Sequence, residues 1–418
     1  MELFIARQPI FDAARDVVGY ELLFRDGLKN LFSATDSNEA TRQVLLNTFV
    51  LFGLNRLTGG KPAFINFTRE FLLNDLVRLF PPQDIVVEVL EDVVPDAQVV
   101  AACRGLKEAG YTIALDDVVH LSACGDLLEL ADIVKIDFRQ TNVEERGAIA
   151  RAVGRRRLTL LAEKVESPEE FEAANAQGFT LFQGYFFAKP EVVKRRDVPG
   201  NRAHYLELLR ELRKPNIELH EVAAIIKRDL SLSYRLLRYV NSPLFGLRAE
   251  VRSVQQALTL LGLQNVRRWA VLTTLSSAAP DKPPELLEVA LSRARFCETL
   301  SSQIDGSQQA GEELFLMGLF SVLDALLDLP LQEALREACL PSRVKAALLG
   351  APGPWRSVLD LTLAYERGEW GVASERMATL AVEPFAIARA FVDSVDWARR
   401  ATQFQVEPSR SSLPARPA

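Results

Sequence analysis

Glu21, Glu88, Asp116, Asp117 and Glu163, with Asn66, Lys135 and Gln183, stand within or directly after short apolar runs. The runs read YELLFR, FINF, VVEVLE, IALDD, VKID, AEKVE and QGYFFAKP. Carboxylates brought that close together raise one another's pKa or require a cation. Hard divalent ions such as Mg²⁺ take oxygen ligands of this kind, and Asn66 adds a carbonyl oxygen. Lys135 places an ammonium beside them, suited to orienting or activating a water. One or two metals with a neighbouring lysine fit the hydrolysis of a phosphodiester, in which charge on the phosphoryl oxygens must be stabilised.

Such convergence requires elements that end at one place. Runs beginning near Phe64, Ile85, Thr112, Ile133, Leu158 and Thr180 are 21 to 27 residues apart, and each gap is long enough for a helix. Nearly continuous apolar strands alternating with helical patterns predict a parallel sheet covered on both faces. With N-terminal strands at about 3 to 9 and 18 to 24, the pattern predicts a closed TIM-like (β/α) barrel. The active site of such a barrel is built at the C-terminal ends of the strands.

Taken singly, these residues have structural readings too. A carboxylate after a strand often caps the next helix, and Ser167-Pro168-Glu169-Glu170 reads as a helix start with Ser167 as cap. Lys135 alone could pair with Asp137 or Asp116. Capping does not explain eight polar residues in register with successive strand ends.

At 418 residues, 48% hydrophobic and 25% charged, the chain has room for two or three domains. No apolar run reaches the roughly 18 residues of a membrane span, and MELFIARQPIFD has no basic region followed by an apolar stretch. The expectation is a soluble cytoplasmic protein. Cys103, Cys124, Cys297 and Cys339 show no CxxC spacing, which argues against a zinc knot or a disulfide framework. Residues 1 to 196 carry 29 acidic and 23 basic side chains, and 197 to 418 carry 26 of each. Neither half has the basic excess that holds long nucleic acid.

The pattern changes near 190 to 204, where KPEVVKRRDVPGNRA combines prolines, a glycine and a charge run. Beyond Tyr205 the apolar spacing is helical, as in LHEVAAIIKRDL and YRLLRYV. The reading is a barrel over 1–195, a linker over 196–204, an all-helical domain over 205–403 and a disordered Pro-, Ser- and Arg-rich tail over 404–418. In the helical part, Asn241-Ser242-Pro243 would end one helix and Gly262 another. Trp269 reads as a buried residue.

At these residues the chain resembles the EAL family. YELLFR looks like the EAL signature with its central alanine replaced, and FINF, VEVLE, LDD, VKID, AEKVE and QGYFFAKP match the later blocks in order. The resemblance implies a TIM-like barrel that binds cyclic di-GMP and, when intact, hydrolyses it to the linear dinucleotide with Mg²⁺ or Mn²⁺. It implies metal ligation by Glu21, Asn66, Glu88, Asp116 and Glu163, with Asp117 bridging or holding a second metal. Lys135 would act on the attacking water, Glu163 and Gln183 would take part in catalysis, and Arg25, Gln183 and Pro190 would contact substrate.

Two departures from the family pattern bear on activity. Active members follow the aspartate pair with a glycine-bearing loop, whereas this chain reads DDVVHLSACGDLLELADIVKID. Val118 and Val119 do not readily take glycine's backbone angles, so the expectation is a risk of misplaced ligands. Lys164 stands where AEGVE has glycine, and its side chain would either crowd the site or point outward.

DLSLSYRLLRYVNSPLFGL and VRSVQQALTLLGLQNVRRW resemble the core of an HDOD domain, a helical relative of the HD phosphohydrolases. None of the three histidines, His120, His204 and His220, is followed by Asp, which argues against a metal-dependent hydrolase in this half. The resemblance implies a signalling module that engages a protein partner, and the layout is that of bacterial EAL-HDOD proteins, compatible with a homodimer. Three functions follow: a cyclic di-GMP phosphodiesterase, a catalytically inactive nucleotide-responsive adaptor, or an interaction scaffold without nucleotide.

Overall fold

The computed structural model describes residues 3–26, 53–74, 76–154, 156, 158–188, 217–227, 230–241, 251, 253–278, 282–303, 308–327, 330–337 and 340–403. Eight strands close into a barrel: β1 Leu3–Asp12, β2 Val17–Asp26, β3 Ala63–Phe67, β4 Ile85–Val89, β5 Thr112–Leu115, β6 Ile133–Asp137, β7 Thr159–Glu163 and β8 Leu181–Gln183. Strands β2 to β8 run parallel, but β1 is antiparallel to both β2 and β8. The six strands expected to be parallel, β3 to β8, are so, and the direction of β1 was not read from the sequence. The turn between β1 and β2 is too short for a crossover and holds only a hairpin. Asp12 ties it by accepting from the backbone N–H of Ala14 and Asp16 at 2.9 Å.

The barrel helices are α1 Leu54–Thr58, α2 Arg69–Leu73, α3 Ala97–Glu108, α4 Val143–Val153 and α5 Pro168–Ala176. Their starts are written locally. Asp96 caps α3 by accepting from Gln98 and Val99, and Asn142 with Glu145 forms a capping box on α4. Ser167 caps α5 ahead of Pro168, as its sequence indicates. The apolar side of α3, Val99, Val100, Cys103 and Leu106, is buried.

Inside the barrel, Ile10, Phe64, Val86, Ala114, Ile133 and Leu161 form an apolar layer with Leu181 packed against it. Side chains alternate faces along a strand, so the residue two positions further on points inward again, one layer higher. Those residues are Asn66, Glu88, Asp116, Lys135, Glu163 and Gln183. The polar layer is therefore a consequence of strand parity above a packed apolar floor. Gly19 on β2 leaves space that Phe64 fills, since a Cβ there would lie 2.8 Å from Phe64 Cε2.

The remaining helices are α6 Leu219–Lys227, α7 Leu230–Val240, α8 Val254–Ala278, α9 Pro284–Leu300, α10 Gln308–Phe320, α11 Leu323–Leu327, α12 Leu331–Glu337, α13 Ser342–Leu348, α14 Pro354–Arg367, α15 Trp370–Leu380 and α16 Pro384–Gln403. They do not form one compact unit. Residues 289–396 cluster with the barrel, whereas 193–288 and 397–418 form a second unit. The contacts thus divide the helical half differently from the expected single domain over 205–403. The physical reason is that α14 packs on β1: Tyr365 Oη accepts from the Ile5 N–H at 3.4 Å, inside an aromatic cluster with Phe296, Trp370 and Phe391. The expected linker over 196–204 and tail over 404–418 lie outside the described residues.

In the second unit, Val222, Ile226, Leu232, Leu236, Leu258 and Trp269 belong to one buried core. Helix α7 ends at Val240, and the Asn241 side chain exchanges two 2.7 Å hydrogen bonds with the Val251 backbone. Gly262, at φ 70°, breaks α8 into two segments. Among the described residues no helix is long and apolar enough to cross a membrane.

Candidate active site

Lys135 lies at the centre of the polar layer and is wholly buried. Its Nζ is 2.6 Å from Glu88 Oε1, 2.8 Å from Asp116 Oδ1, 2.9 Å from Glu163 Oε1 and 3.7 Å from Glu21 Oε1. These carboxylates come from four strands or strand ends. Of the two pairings open to Lys135 in the sequence, the structure selects Asp116. Asp137 instead pairs with Lys164.

Burial alone would lower the Lys135 pKa, but the carboxylates of Asp116, Glu163, Glu21 and Glu88 outweigh it and hold it well above the ordinary value. Burial pushes Glu163 up to about 8 and Glu88 well above the usual carboxylate range, against the opposing pull of Lys135. Asp117 is raised by burial and by its neighbour Asp116.

The amides complete the ring. Asn66 Nδ2 donates to Glu21 Oε1 at 3.1 Å, and Gln183 Nε2 donates to Glu21 Oε2 at 2.5 Å and to Gln8 Oε1 at 2.8 Å. Their oxygens, Asn66 Oδ1 and Gln183 Oε1, are buried without a hydrogen-bond donor, as are Glu88 Oε2 and Asp117 Oδ1. Unmatched buried oxygens are costly in a folded protein. Carboxylate oxygens of Asp116, Asp117 and Glu163 lie within 4.8 Å of one another. An all-oxygen donor set with unmatched acceptors fits a hard divalent cation.

All eight strand-end residues singled out in the sequence are in or beside this layer. Arg25 is on β2 opposite Phe4; its side chain, and Pro190, lie outside the described residues. The loop after Asp117 does not need glycine at 118 or 119. Positive φ falls on Asp117 (44°) and on Gly125 (50°), the chain between them enters a 3₁₀ segment at Leu121–Glu129, and the Val118 N–H donates to the Lys135 carbonyl at 3.0 Å. Lys164, at φ 54°, turns its ammonium to Asp137 and does not enter the ring.

Sequence reasoning assigned no site role to Asp137, Gln140 or Gln8. Gln140 Nε2 reaches Asp137 Oδ2 at 3.1 Å and Asp117 Oδ2 at 3.4 Å, so it braces the second aspartate. The only sequence signal was the position of Gln140 three residues after the VKID block.

Comparison with known proteins agrees with this architecture. The EAL domain family matches residues 1–190 and the HDOD domain family residues 199–340. Over 402 residues the chain is 35% identical to a Vibrio cholerae protein named cyclic di-GMP phosphodiesterase CdgJ, spanning 95% of this chain and 92% of that one. The chain belongs to the EAL-HDOD family. It is also 38% identical over 383 residues to the uncharacterised YuxH of Bacillus subtilis, covering 90% of this chain and 93% of that one. Among solved structures, the Bacillus subtilis EAL-domain protein YkuI, in complex with cyclic di-GMP and calcium, is similar at 19% identity and a TM-score of 0.39, over 54% of this chain and 72% of that one.

In an EAL-HDOD protein, the polar layer is the mouth of the EAL barrel. The HDOD match begins inside the segment that sequence assigned to the linker and ends at residue 340, within the helical half.

Proposed function

We propose that the EAL barrel binds cyclic di-GMP and hydrolyses one of its phosphodiester bonds to give the linear dinucleotide, with Mg²⁺ or Mn²⁺ as the cation. The observation that carries this reading is the fully buried Lys135 ammonium, within 2.9 Å of carboxylates from three separate strands or strand ends. Replacing a buried ion cluster by apolar side chains is often neutral or stabilising, so packing gives no reason to keep one here. Asp116, Asp117 and Glu163 would hold the cation, with Glu21, Glu88 and the Asn66 carbonyl oxygen beside them. Such an ion polarises phosphoryl oxygens and makes water a nucleophile at neutral pH.

The chain's own residues would do the rest. Lys135, kept protonated by its neighbours, orients the attacking water and does not abstract its proton. Glu21 and Gln183 hold each other in place at the rim, and Gln140 steadies Asp117. Arg25 would hold a ligand phosphate, which a guanidinium can do bidentately. The HDOD half would engage a protein partner.

The test is incubation of purified protein with cyclic di-GMP and Mg²⁺ or Mn²⁺, with the linear product followed by chromatography and binding measured by calorimetry in Ca²⁺. Product formation that Lys135→Ala abolishes without loss of binding is the expected outcome. Binding without product would make the protein a nucleotide-responsive adaptor, and loss of both would leave the scaffold function.

A further inference from the structure

Gln8 on β1 belongs to no motif block, yet it joins the polar layer to a helix more than three hundred residues away. Register places it opposite Glu21, and β1 meets β8 where Ile10 pairs with Gln183. Both ends of its amide are committed. Oε1 accepts from Gln183 Nε2 at 2.8 Å, and Nε2 donates to the carbonyl of Arg367 at 3.2 Å. Arg367 is the last residue of α14, where backbone carbonyls lack an intrahelical donor and need one from elsewhere.

The same helix end is anchored on the other side of Gln183. The Tyr185 hydroxyl, two residues beyond Gln183, donates to Glu366 Oε1 at 2.8 Å, and Arg293 on α9 grips Glu366 through two bonds of 2.7 and 2.8 Å. Gly368, at φ 70°, ends the helix, and a Cβ there would lie 2.7 Å from Leu23 Cδ1 on β2. The turn thus sits directly against the strands that carry Glu21 and Gln183.

We propose that Gln8 is a positioning residue that fixes Gln183, and through it Glu21, against the C-terminal turn of α14. The metal ring is then completed by the helices after residue 289 as well as by the barrel. The inference rests on the metal-site reading above. Its effect passes through the Gln183 amide, to which it is bonded at 2.8 Å.

The experiment uses full-length protein carrying Gln8→Met, Gln183→Leu or both. In Gln8→Met, Mn²⁺ affinity measured by electron paramagnetic resonance falls by about 10-fold, the range set by partners that orient metal ligands. The double variant binds no more weakly than Gln183→Leu alone, because both changes remove one interaction. Additive losses would overturn the proposal. Hydrogen exchange of metal-free protein gives a second readout, with faster exchange expected across residues 181–187 in Gln8→Met and in Tyr185→Phe. Unchanged exchange in both overturns the role of the helix end. If the unmodified protein takes up no Mn²⁺, the metal-site reading falls and the exchange data alone decide the positioning role. Tyr185→Phe removes one hydroxyl, so it carries the exchange test if Gln8→Met does not fold.

Discussion

At the scale of single residues, the site is an ammonium that compensates for mutual repulsion among carboxylates. Lys135→Met removes that ammonium while leaving Glu88, Asp116 and Glu163 buried. Breaking a buried pair costs about 3–5 kcal/mol, so the metal-free variant should unfold at a clearly lower denaturant concentration. Its turnover should fall by about 10²- to 10³-fold, the range for loss of one preorganised donor at the reacting centre. Lys164 is a different case. Its left-handed backbone costs about 1–2 kcal/mol for a residue with a Cβ, but its half-exposed ammonium pairs with the buried Asp137 carboxylate, which also accepts from the Arg139 N–H and Gln140. Lys164→Gly relieves the backbone but takes the cation from a buried carboxylate, a loss of about 1–3 kcal/mol, so the variant should be less stable by about 1 kcal/mol in denaturant unfolding. The identity of the ring was legible at this scale. The role of Gln140 was not, because its partners Asp117 and Asp137 meet only once β5 and β6 lie side by side.

Strand parity explains the site at the scale of elements. Each polar residue lies two positions beyond an apolar floor residue on β3 to β8, so any strand shifted by one would lift its ligand out of the barrel. The docking of α14 follows a different logic, that of a buried ion pair. Glu366 is pulled up by burial and drawn down more strongly by Arg293, with Tyr185 adding a hydrogen bond, so its pKa lies below the ordinary 4.5. The stabilisation from this depressed value is complete above the unfolded pKa and is lost as pH falls through the folded one. Glu366→Gln should cost about 3–5 kcal/mol at pH 7, by leaving Arg293 unpaired. The gap between variant and parent should narrow below pH 4.5 in pH-dependent denaturant titrations. Strand order and helix starts such as Ser167 were readable from local pattern, but the reversed β1 was not read from its hairpin turn.

For the whole molecule, the division into compact units departs from the division into sequence blocks. Helices between residues 289 and 396 pack with the barrel, and Arg56 on α1 bonds Asp393 at 2.8 Å and Asp396 at 3.4 Å. A fragment ending at residue 192 would expose the β1 face that Tyr365 and Arg367 cover. It should show lower solubility and a lower unfolding midpoint than the full chain. Saturating Mn²⁺ should raise the stability of the full chain by about 2.7 kcal/mol at one hundred times its dissociation constant, as for any ligand of the native state. Asp116→Asn should reduce that shift in thermal unfolding.

The sequence alone determined the barrel, the helical character of the second half and the eight residues in or beside the polar layer. Each of these is carried by local pattern: apolar runs, their spacing and the polar residue that ends them. Tertiary structure alone decided which carboxylates Lys135 holds, where Lys164 points, how the loop after Asp117 turns without the family's glycines, and that Gln8 joins the mouth to α14. These depend on pairs of residues far apart in the chain, whose meeting is set by barrel closure and helix docking and leaves no periodic trace in the sequence.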